Sequence, residues 1–260
     1  MKVPFLDLKP QTSIIKDEIL KRFSSIIDNT AFVSGKGVTE FEKNFAKMHD
    51  VKYSVGLSSG TDGNHLAIIA NGIGYGDEVI VPVNTFIATA EGISHAGAKP
   101  IFVDIDEKTY NIDASKIEEV ITNKTKAINP VHLYGQSSDM EKIIAVAKKY
   151  NLKIIEDASQ AHLAEYKNKK VGTFSTVASW SFYPGKNLGA WGEAGAISTD
   201  SKEIYENAKK LRSHGSKTKY LHDSIGHNYR MSEFMAEVLN VKMNYIEKWT
   251  DQRRNNAKLY

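Results

Sequence analysis

The sequence predicts an α/β fold with a mainly parallel sheet flanked by helices, in three α/β/α layers. From residue 53 onward, short apolar runs alternate with helical segments, and polar residues follow the ends of those runs. Hydrophobic residues make up 41% of the 260 residues, which is enough for a full core. Strands that alternate with helices form parallel sheets, because each crossover helix covers a face of the sheet.

The composition excludes several classes of protein. The chain has no cysteine, so disulfides, thiolate catalysis and cysteine-ligated zinc are excluded, and we predict no metal site. A net charge of +3 is too small to indicate nucleic-acid binding but suits a phosphorylated ligand. Without an apolar run of about 18 residues, no membrane span is expected. We therefore expect a cytoplasmic protein with neither nucleic acid nor membrane as a partner.

Two helices are predicted before the alternating region. Apolar residues recur at helical spacing over 12–28, as at Ile15 and Ile19. A loop is expected over 30–38, and Thr39 with Glu42 predicts a capping box at the start of the second helix.

The alternating region supplies the strands and helices of the sheet domain. Apolar runs predict strands over 53–57, 78–82, 99–104, 126–131, 153–157 and 177–182. Helical patterns and caps predict helices over 65–70, over 86–96, after Ser115, from Ser138 or Asp139, and over 201–212. A polar loop over 213–226 precedes a single long helix that contains Met235, Leu239 and Trp249.

Ligands of parallel α/β folds bind at the carboxyl ends of the strands. Here those ends carry Ser59-Gly60-Thr61, Phe86, Asp104, Asp157 and Lys186. We therefore expect these residues to meet at one edge of the sheet.

Lys186 follows a buried strand and a Pro184-Gly185 turn, in which the glycine can adopt a positive φ. Desolvation disfavours the ammonium form of a lysine, and a neutral amine can form a Schiff base with a carbonyl compound or with pyridoxal phosphate. A solvated loop lysine is the alternative when this residue is considered alone.

The other strand-end residues offer complementary chemistry. A carboxylate such as Asp157 can pair with a protonated pyridine nitrogen, Gln160 can bind a ring hydroxyl, and His162 can relay protons. The Gly60-Thr61 turn can bind phosphate at a helix N-terminus. Each of these side chains alone is also compatible with a structural role.

Two further residues complete this set. Phe86 can stack on a flat ring, and Ser181 can donate to a phosphate. The conjunction of residues is the layout that pyridoxal phosphate chemistry requires. A Rossmann-type dehydrogenase is disfavoured, because no Gly-x-Gly-x-x-Gly follows the first strand.

The chain resembles the DegT/DnrJ/EryC1/StrS aminotransferases, which are fold-type I pyridoxal phosphate enzymes acting on nucleotide-linked keto sugars. The matching stretches cover nearly the whole chain: 3–8, 59–62, 76–82, 84–89, 103–105, 131–136, 156–160, 181–189 and 228–231.

The resemblance implies a role for each candidate residue. Lys186 would bind the cofactor covalently and move the proton between sugar and cofactor carbons. Asp157 would bind the pyridine nitrogen, and Gln160 the ring hydroxyl. Phe86 would stack on the ring. The phosphate would be held by Gly60, Thr61 and Ser181, and by Asn228 acting on the cofactor of a partner subunit, which implies a homodimer with shared active sites.

The resemblance further implies transfer of an amino group from L-glutamate to a nucleotide-linked keto-deoxy sugar. The stretches 132–136 and 183–190 are most similar to the branch that acts on dTDP-3-keto-6-deoxyhexoses. The alternatives are a related sugar dehydratase and a non-catalytic or truncated regulatory protein. In the dehydratase branch a histidine replaces the lysine, so Lys186 argues against it.

The chain departs from the family pattern at a few positions and in length. Leu163 stands where glycine is usual, Gly63 where alanine is common, and Trp191 begins a varied segment. We expect an N-terminal segment over 1–30, the cofactor-binding large domain over 31–240, and over 241–260 the start of a helix leading to a small C-terminal domain that the sequence lacks.

Overall fold

The structure, a computed structural model, describes residues 4–218 and 220–260, so Val3 of the first matching stretch lies outside the described residues. The α-helices are α1 (Lys9–Asp28), α2 (Lys36–Met48), α3 (Gly60–Ala70), α4 (Ile87–His95), α5 (Met140–Tyr150), α6 (Lys202–Arg212), α7 (Glu233–Met243) and α8 (Ile246–Ala257). The strands are β1 (Tyr53–Leu57), β2 (Glu78–Pro82), β3 (Lys99–Val103), β4 (Thr125–Ile128), β5 (Lys153–Asp157), β6 (Glu165–Tyr166), β7 (Lys169–Lys170), β8 (Val177–Ser181), β9 (Gly195–Thr199), β10 (Ser216–Thr218) and β11 (Leu221–His222).

Seven strands form one mixed sheet in the order β1-β9-β8-β5-β4-β2-β3. The pairs from β8 to β3 are parallel, as predicted, whereas β9 is antiparallel to both β1 and β8. Sequence patterns did not predict β9, because Gly195-Ala-Ile-Ser-Thr199 is short and rich in small residues. All five of its residues are buried, so small side chains suit a strand that has neighbours on both sides and on both faces.

Helices cover both faces of this sheet. Alternate residues of one strand enter different clusters: Val79 and Val81 pack with α3 and α4, whereas Ile80 packs with α5. A third cluster joins Phe41 and Phe45 of α2 to Trp180 of β8 and to α7. The predicted three-layer α/β/α architecture is therefore confirmed.

The N-terminus of α2 differs from the predicted capping box. The helix begins at Lys36, with Gly35 as its N-cap. The free backbone N–H groups of Gly35, Gly37 and Val38 donate to the carboxylate of Glu233, which lies at the start of α7. A negative charge is favourable at a helix N-terminus, so a distant residue replaces the local cap.

The last part of the chain is less regular than predicted. The loop over 213–226 contains the β10–β11 hairpin, and the expected long helix is broken between α7 and α8 at Asn244 and Tyr245. The break lets Tyr245 stack on Trp249, which packs with α1 and α7.

The helix after Val103 is a 3-10 helix, Ala114–Val120, and its cap is Asp113 rather than Ser115. Within the described ranges, none of the helices has the length and apolar character that a membrane crossing requires.

Candidate active site

A cavity of about 550 Å³ opens at the carboxyl ends of the central strands. It is lined by every predicted site residue except Asn228: Gly60, Thr61, Phe86, Asp157, Gln160, Ser181 and Lys186. Gly60 and Lys186, which are 126 positions apart in sequence, therefore line the same cavity.

Asp157, the last residue of β5, is buried and held by three hydrogen bonds. Its Oδ2 atom accepts from Asn64 Nδ2 at 3.1 Å and from Thr89 Oγ1 at 2.7 Å. Its Oδ1 atom accepts from the backbone N–H of Ser159 at 3.0 Å. Because the donors come from α3, α4 and the loop after β5, the carboxylate has a fixed orientation at the cavity wall.

The residue before Asp157 fixes the strand from the opposite face. Glu156 is fully buried and accepts hydrogen bonds from His132 Nε2 at 2.9 Å, Ser175 Oγ at 2.7 Å and the Gly172 N–H at 2.7 Å. Burial acts to raise the pKa of Glu156, but these hydrogen bonds outweigh it and hold the pKa below its usual value. The Ser138 N–H donates to His132 Nδ1, so the histidine proton sits on Nε2 and points to Glu156.

Lys186 is partly buried and faces the same cavity. Burial lowers the pKa of its amine, and the nearby Asp157 carboxylate opposes this shift without cancelling it. No residue in the described ranges forms a hydrogen bond or ion pair with Nζ. The amine is therefore both easier to deprotonate than an ordinary lysine and free to react.

The loop that carries Lys186 is a compact turn. The Lys186 N–H donates to the Tyr183 carbonyl at 2.8 Å, which forms the predicted turn, although Gly185 does not adopt a positive φ. The chain then folds back so tightly that a Cβ atom on Gly189 would lie 2.3 Å from the Pro184 carbonyl oxygen. Only glycine fits at this position.

A phosphate-sized corner lies where α3 begins. Ser59 caps α3 by accepting from the Asp62 N–H, and Gly60 and Thr61, whose N–H groups belong to the first turn of the helix and have no partner within it, line the cavity. A Cβ atom on Gly60 would lie 2.5 Å from Cβ of Ser181, so the absence of a side chain lets β8 approach this corner. Free N–H groups and a serine hydroxyl suit an anion.

Gln160 and Phe86 lie on the rim of the cavity. The Tyr134 N–H donates to Gln160 Oε1 at 2.8 Å, which leaves the amide nitrogen of Gln160 as a donor toward the cavity. Tyr134 has φ 57° and Gly135 has φ 85°, and this left-handed pair turns the backbone N–H toward Gln160. Phe86 is 69% exposed, so its ring is available for stacking.

Other sequence candidates lie outside the cavity. Asn228 is on the exposed surface, where its backbone pairs with Ser213. Asp104 is exposed and pairs with Lys116 at 3.2 Å. His162 is buried between Trp180 and Phe182, and burial lowers its pKa well below the usual value. His162 does not line the cavity, so its burial favours the structural alternative over a proton relay.

The departure at Leu163 has a backbone consequence. Leu163 has φ 61°, in the left-handed region that favours glycine. Its side chain packs against the Phe41–Trp180 cluster, so packing accompanies a backbone conformation that glycine adopts with less strain.

Sequence patterns missed the residues that orient Asp157. Asn64 and Thr89 lie within α3 and α4, and Ser179 of β8 donates to Asn64 Oδ1. A polar residue in a helix carries no local signal of its partner. The burial of Asn64, in a helix that packs on the sheet, is seen only in the structure.

The arrangement fits pyridoxal phosphate. The carboxylate, the amine, the aromatic ring and the anion corner line one cavity, and the close Gly60–Ser181 approach brings the Ser181 hydroxyl next to the N-terminus of α3. The fold and the site together define a fold-type I pyridoxal phosphate enzyme.

Comparisons with known proteins identify the group within this class. The chain belongs to the DegT/DnrJ/EryC1/StrS aminotransferase family, whose profile matches residues 13–260. It is 47% identical over 258 residues to dTDP-3-amino-3,6-dideoxy-alpha-D-galactopyranose transaminase of Aneurinibacillus thermoaerophilus, covering 99% of this chain and 71% of that protein. It is 46% identical to a pleiotropic regulatory protein of Geobacillus stearothermophilus, covering 100% of this chain and 70% of that one.

Solved structures agree with this assignment. The crystal structure of S. venezuelae DesV matches with a TM-score of 0.95 and 39% identity, over 98% of this chain and 68% of that one. Another solved structure similar to this chain contains the cofactor PMP. The protein is therefore a pyridoxal phosphate-dependent sugar aminotransferase by family.

Proposed function

We propose that this protein transfers the amino group of L-glutamate to a nucleotide-linked keto-deoxy sugar, dTDP-3-keto-6-deoxyhexose. The proposal rests on the contrast between Asp157 and Lys186 inside the cavity. Asp157 is held by three hydrogen bonds, whereas the Lys186 amine has a lowered pKa and no hydrogen-bond partner among the described residues.

The cofactor, when bound, supplies an electron sink for the substrate carbanion. Asp157 would bind its pyridine nitrogen, and the N–H groups of Gly60 and Thr61, with the Ser181 hydroxyl, would bind its phosphate. Phe86 would cover the ring, and the Gln160 amide nitrogen would donate to the ring oxygen.

Lys186 would act as the acid and base. As a neutral amine, Nζ can accept a proton from the substrate carbon, and as an ammonium it can return that proton to a neighbouring atom. Burial brings the pKa of Lys186 closer to neutrality, which makes both protonation states accessible. The same lysine favours amine transfer over the dehydratase alternative.

The substrate and the assembly are extensions of this proposal. The similarity to a dTDP-sugar transaminase at 47% identity supports dTDP as the nucleotide. Asn228 lies on the exposed surface outside the cavity, so we propose that it reaches the cofactor phosphate of a second copy in a homodimer.

The lysine assignment is tested by reductive labelling. The protein is mixed with pyridoxal phosphate, treated with borohydride and digested, and mass spectrometry locates the modified residue. We expect modification at Lys186. Modification of another lysine, or of none, would overturn the proposal.

The substrate assignment is tested in the reverse direction. A dTDP-linked 3-amino-3,6-dideoxyhexose with 2-oxoglutarate should yield glutamate, whereas the UDP-linked analogue should react more slowly. Glutamate formation from the UDP sugar alone would show that the nucleotide is wrong, and formation from neither would support the regulatory alternative.

A further inference from the structure

Lys242 of α7 is a buried lysine that contacts the loop carrying Lys186 but does not line the cavity. Only 2% of it is exposed, and its Nζ atom donates to the Gly189 carbonyl at 2.6 Å. A weaker contact of 3.4 Å joins Nζ to Gln11 Oε1 of α1. Lys242 therefore links α7 and α1 to the loop that carries Lys186.

Lys242 does not form an ion pair with a described residue. No carboxylate of the described residues lies within salt-bridge distance of it. Burial, with a smaller contribution from the positive charge of the nearby Arg253, lowers the pKa of Lys242 to about 8. A buried amine without an anion is costly, and its interactions in the structure are with these two oxygens.

Gly189 is the point at which this contact affects the loop. The Ala190 N–H donates to the Phe182 carbonyl at 2.7 Å and closes the loop, and Leu188 and Ala190 are fully buried. Gly189 lies three residues after Lys186, so a carbonyl held there determines where the chain returns toward Pro184.

We propose that Lys242 is a positioning residue that holds the Gly189 carbonyl and thereby places the Lys186 amine in the cavity. The part of this proposal that concerns reactivity rests on the proposed function of Lys186. The part that concerns the order of the loop does not.

The first test uses backbone hydrogen exchange of the protein without cofactor. In Lys242→Met, which keeps the length of the side chain but removes the amine, we expect exchange at the amides of Lys186 and Ala190 to accelerate at least tenfold. The amides of β5 and α3 should keep their protection. Equal acceleration across the sheet, or none in the loop, would overturn the proposal, since the first outcome indicates a merely structural lysine.

The second test measures the rate of reductive labelling at Lys186 by pyridoxal phosphate. We expect Lys242→Met to label several-fold more slowly than the original protein, and Lys242→Arg, which keeps a donor, to lie between them. Lys170→Met is the control, because Lys170 also donates to a backbone carbonyl, that of Met48 at 2.8 Å, but lies outside both the loop and the cavity; unlike Lys242, it also pairs with Asp50 at 3.1 Å.

The outcomes separate the two proposals. If the original protein is not labelled at Lys186, the proposed function fails while the exchange result still tests the loop. If labelling occurs and Lys242→Met labels at the original rate, the positioning role fails. Should Lys242→Met not fold, Lys242→Gln is measured in the same two assays, and unchanged exchange at Ala190 overturns the role.

Discussion

Two charged groups of the cavity, the Asp157 carboxylate and the Lys186 amine, are held in opposite ways. Asp157 ends a strand and receives hydrogen bonds from two helices and a loop, with Glu156 anchoring the same strand from behind. Lys186 lies in a loop whose backbone is fixed, yet its amine has no hydrogen-bond partner among the described residues.

This difference corresponds to two kinds of chemical task. A group that binds one fixed atom benefits from a rigid orientation, because its reorganisation is completed before the ligand arrives. A group that exchanges bonds and protons must remain free at its reactive atom. Here the protein fixes the carboxylate at its oxygens and the lysine only at its backbone.

The largest expected effect comes from removing the amine of Lys186. Lys186→Ala should lower turnover by about 10³-fold or more, because both the nucleophile and the proton carrier are lost. Steady-state kinetics with a dTDP-linked amino sugar and 2-oxoglutarate measures this loss. Lys153→Ala, at the other end of β5, is the control and should retain activity; equal losses in both variants would contradict the assignment.

A change at the fixed carboxylate of Asp157 should have the next largest effect. Asp157→Asn keeps the shape of the side chain but removes the charge, so a charge-assisted hydrogen bond worth about 1.5–3 kcal/mol is lost. We expect cofactor affinity to fall roughly 10- to 100-fold by that figure. Spectroscopic titration with pyridoxal phosphate measures the change.

Asp139→Asn is the matched control for that titration. Asp139 caps α5 outside the cavity, so its variant should bind the cofactor normally. If both variants bind the cofactor as the original protein does, Asp157 does not contact the pyridine nitrogen.

Removing a hydrogen bond that holds the Asp157 carboxylate should have a smaller effect. Thr89→Val removes the hydroxyl that donates to Asp157 Oδ2 and that accepts from Thr85 at 2.8 Å. We expect a loss of about 1–3 kcal/mol in the free energy of unfolding and a several-fold weaker affinity for the cofactor. Urea unfolding and the same titration measure both quantities.

Thr199→Val separates stability from positioning. Thr199 is also buried and donates to the Thr176 carbonyl at 2.6 Å, within the sheet but away from the cavity. It should reduce stability without changing cofactor affinity. A loss of affinity as large as that in Thr89→Val would mean that the effect on binding is indirect.

The smallest effect concerns the protonation of Lys186. Reductive labelling requires the neutral amine, so its rate should rise with pH and reach half its maximum below the usual lysine pKa of about 10.4. The direction follows from burial, which lowers the pKa of Lys186 against the opposing charge of Asp157. In Asp157→Asn that opposition is removed, so the midpoint should move lower still. A midpoint that rises in this variant would contradict the proposed coupling.

Six of the seven strands of the main sheet, and the candidate site residues at their ends, could be predicted from local sequence. The segments 78–82 and 153–157 are found within the sheet, because runs of five buried residues in β2 and four in β5 suit strands covered on both faces. The positions of Asp157 and Lys186 after such strands predicted a common site, since parallel strands end at the same edge.

Tertiary structure alone decided how those residues are held. Two of the three donors to Asp157, the side chains of Asn64 and Thr89, lie 93 and 68 positions away in sequence, and Lys242 lies 53 positions from Gly189. Local periodicity predicts which face of a helix or strand is buried, but it does not predict which distant side chain contacts that face. The same limit explains β9 and the Glu233 cap: both depend on partners that the chain brings together only when the sheet and its helices pack.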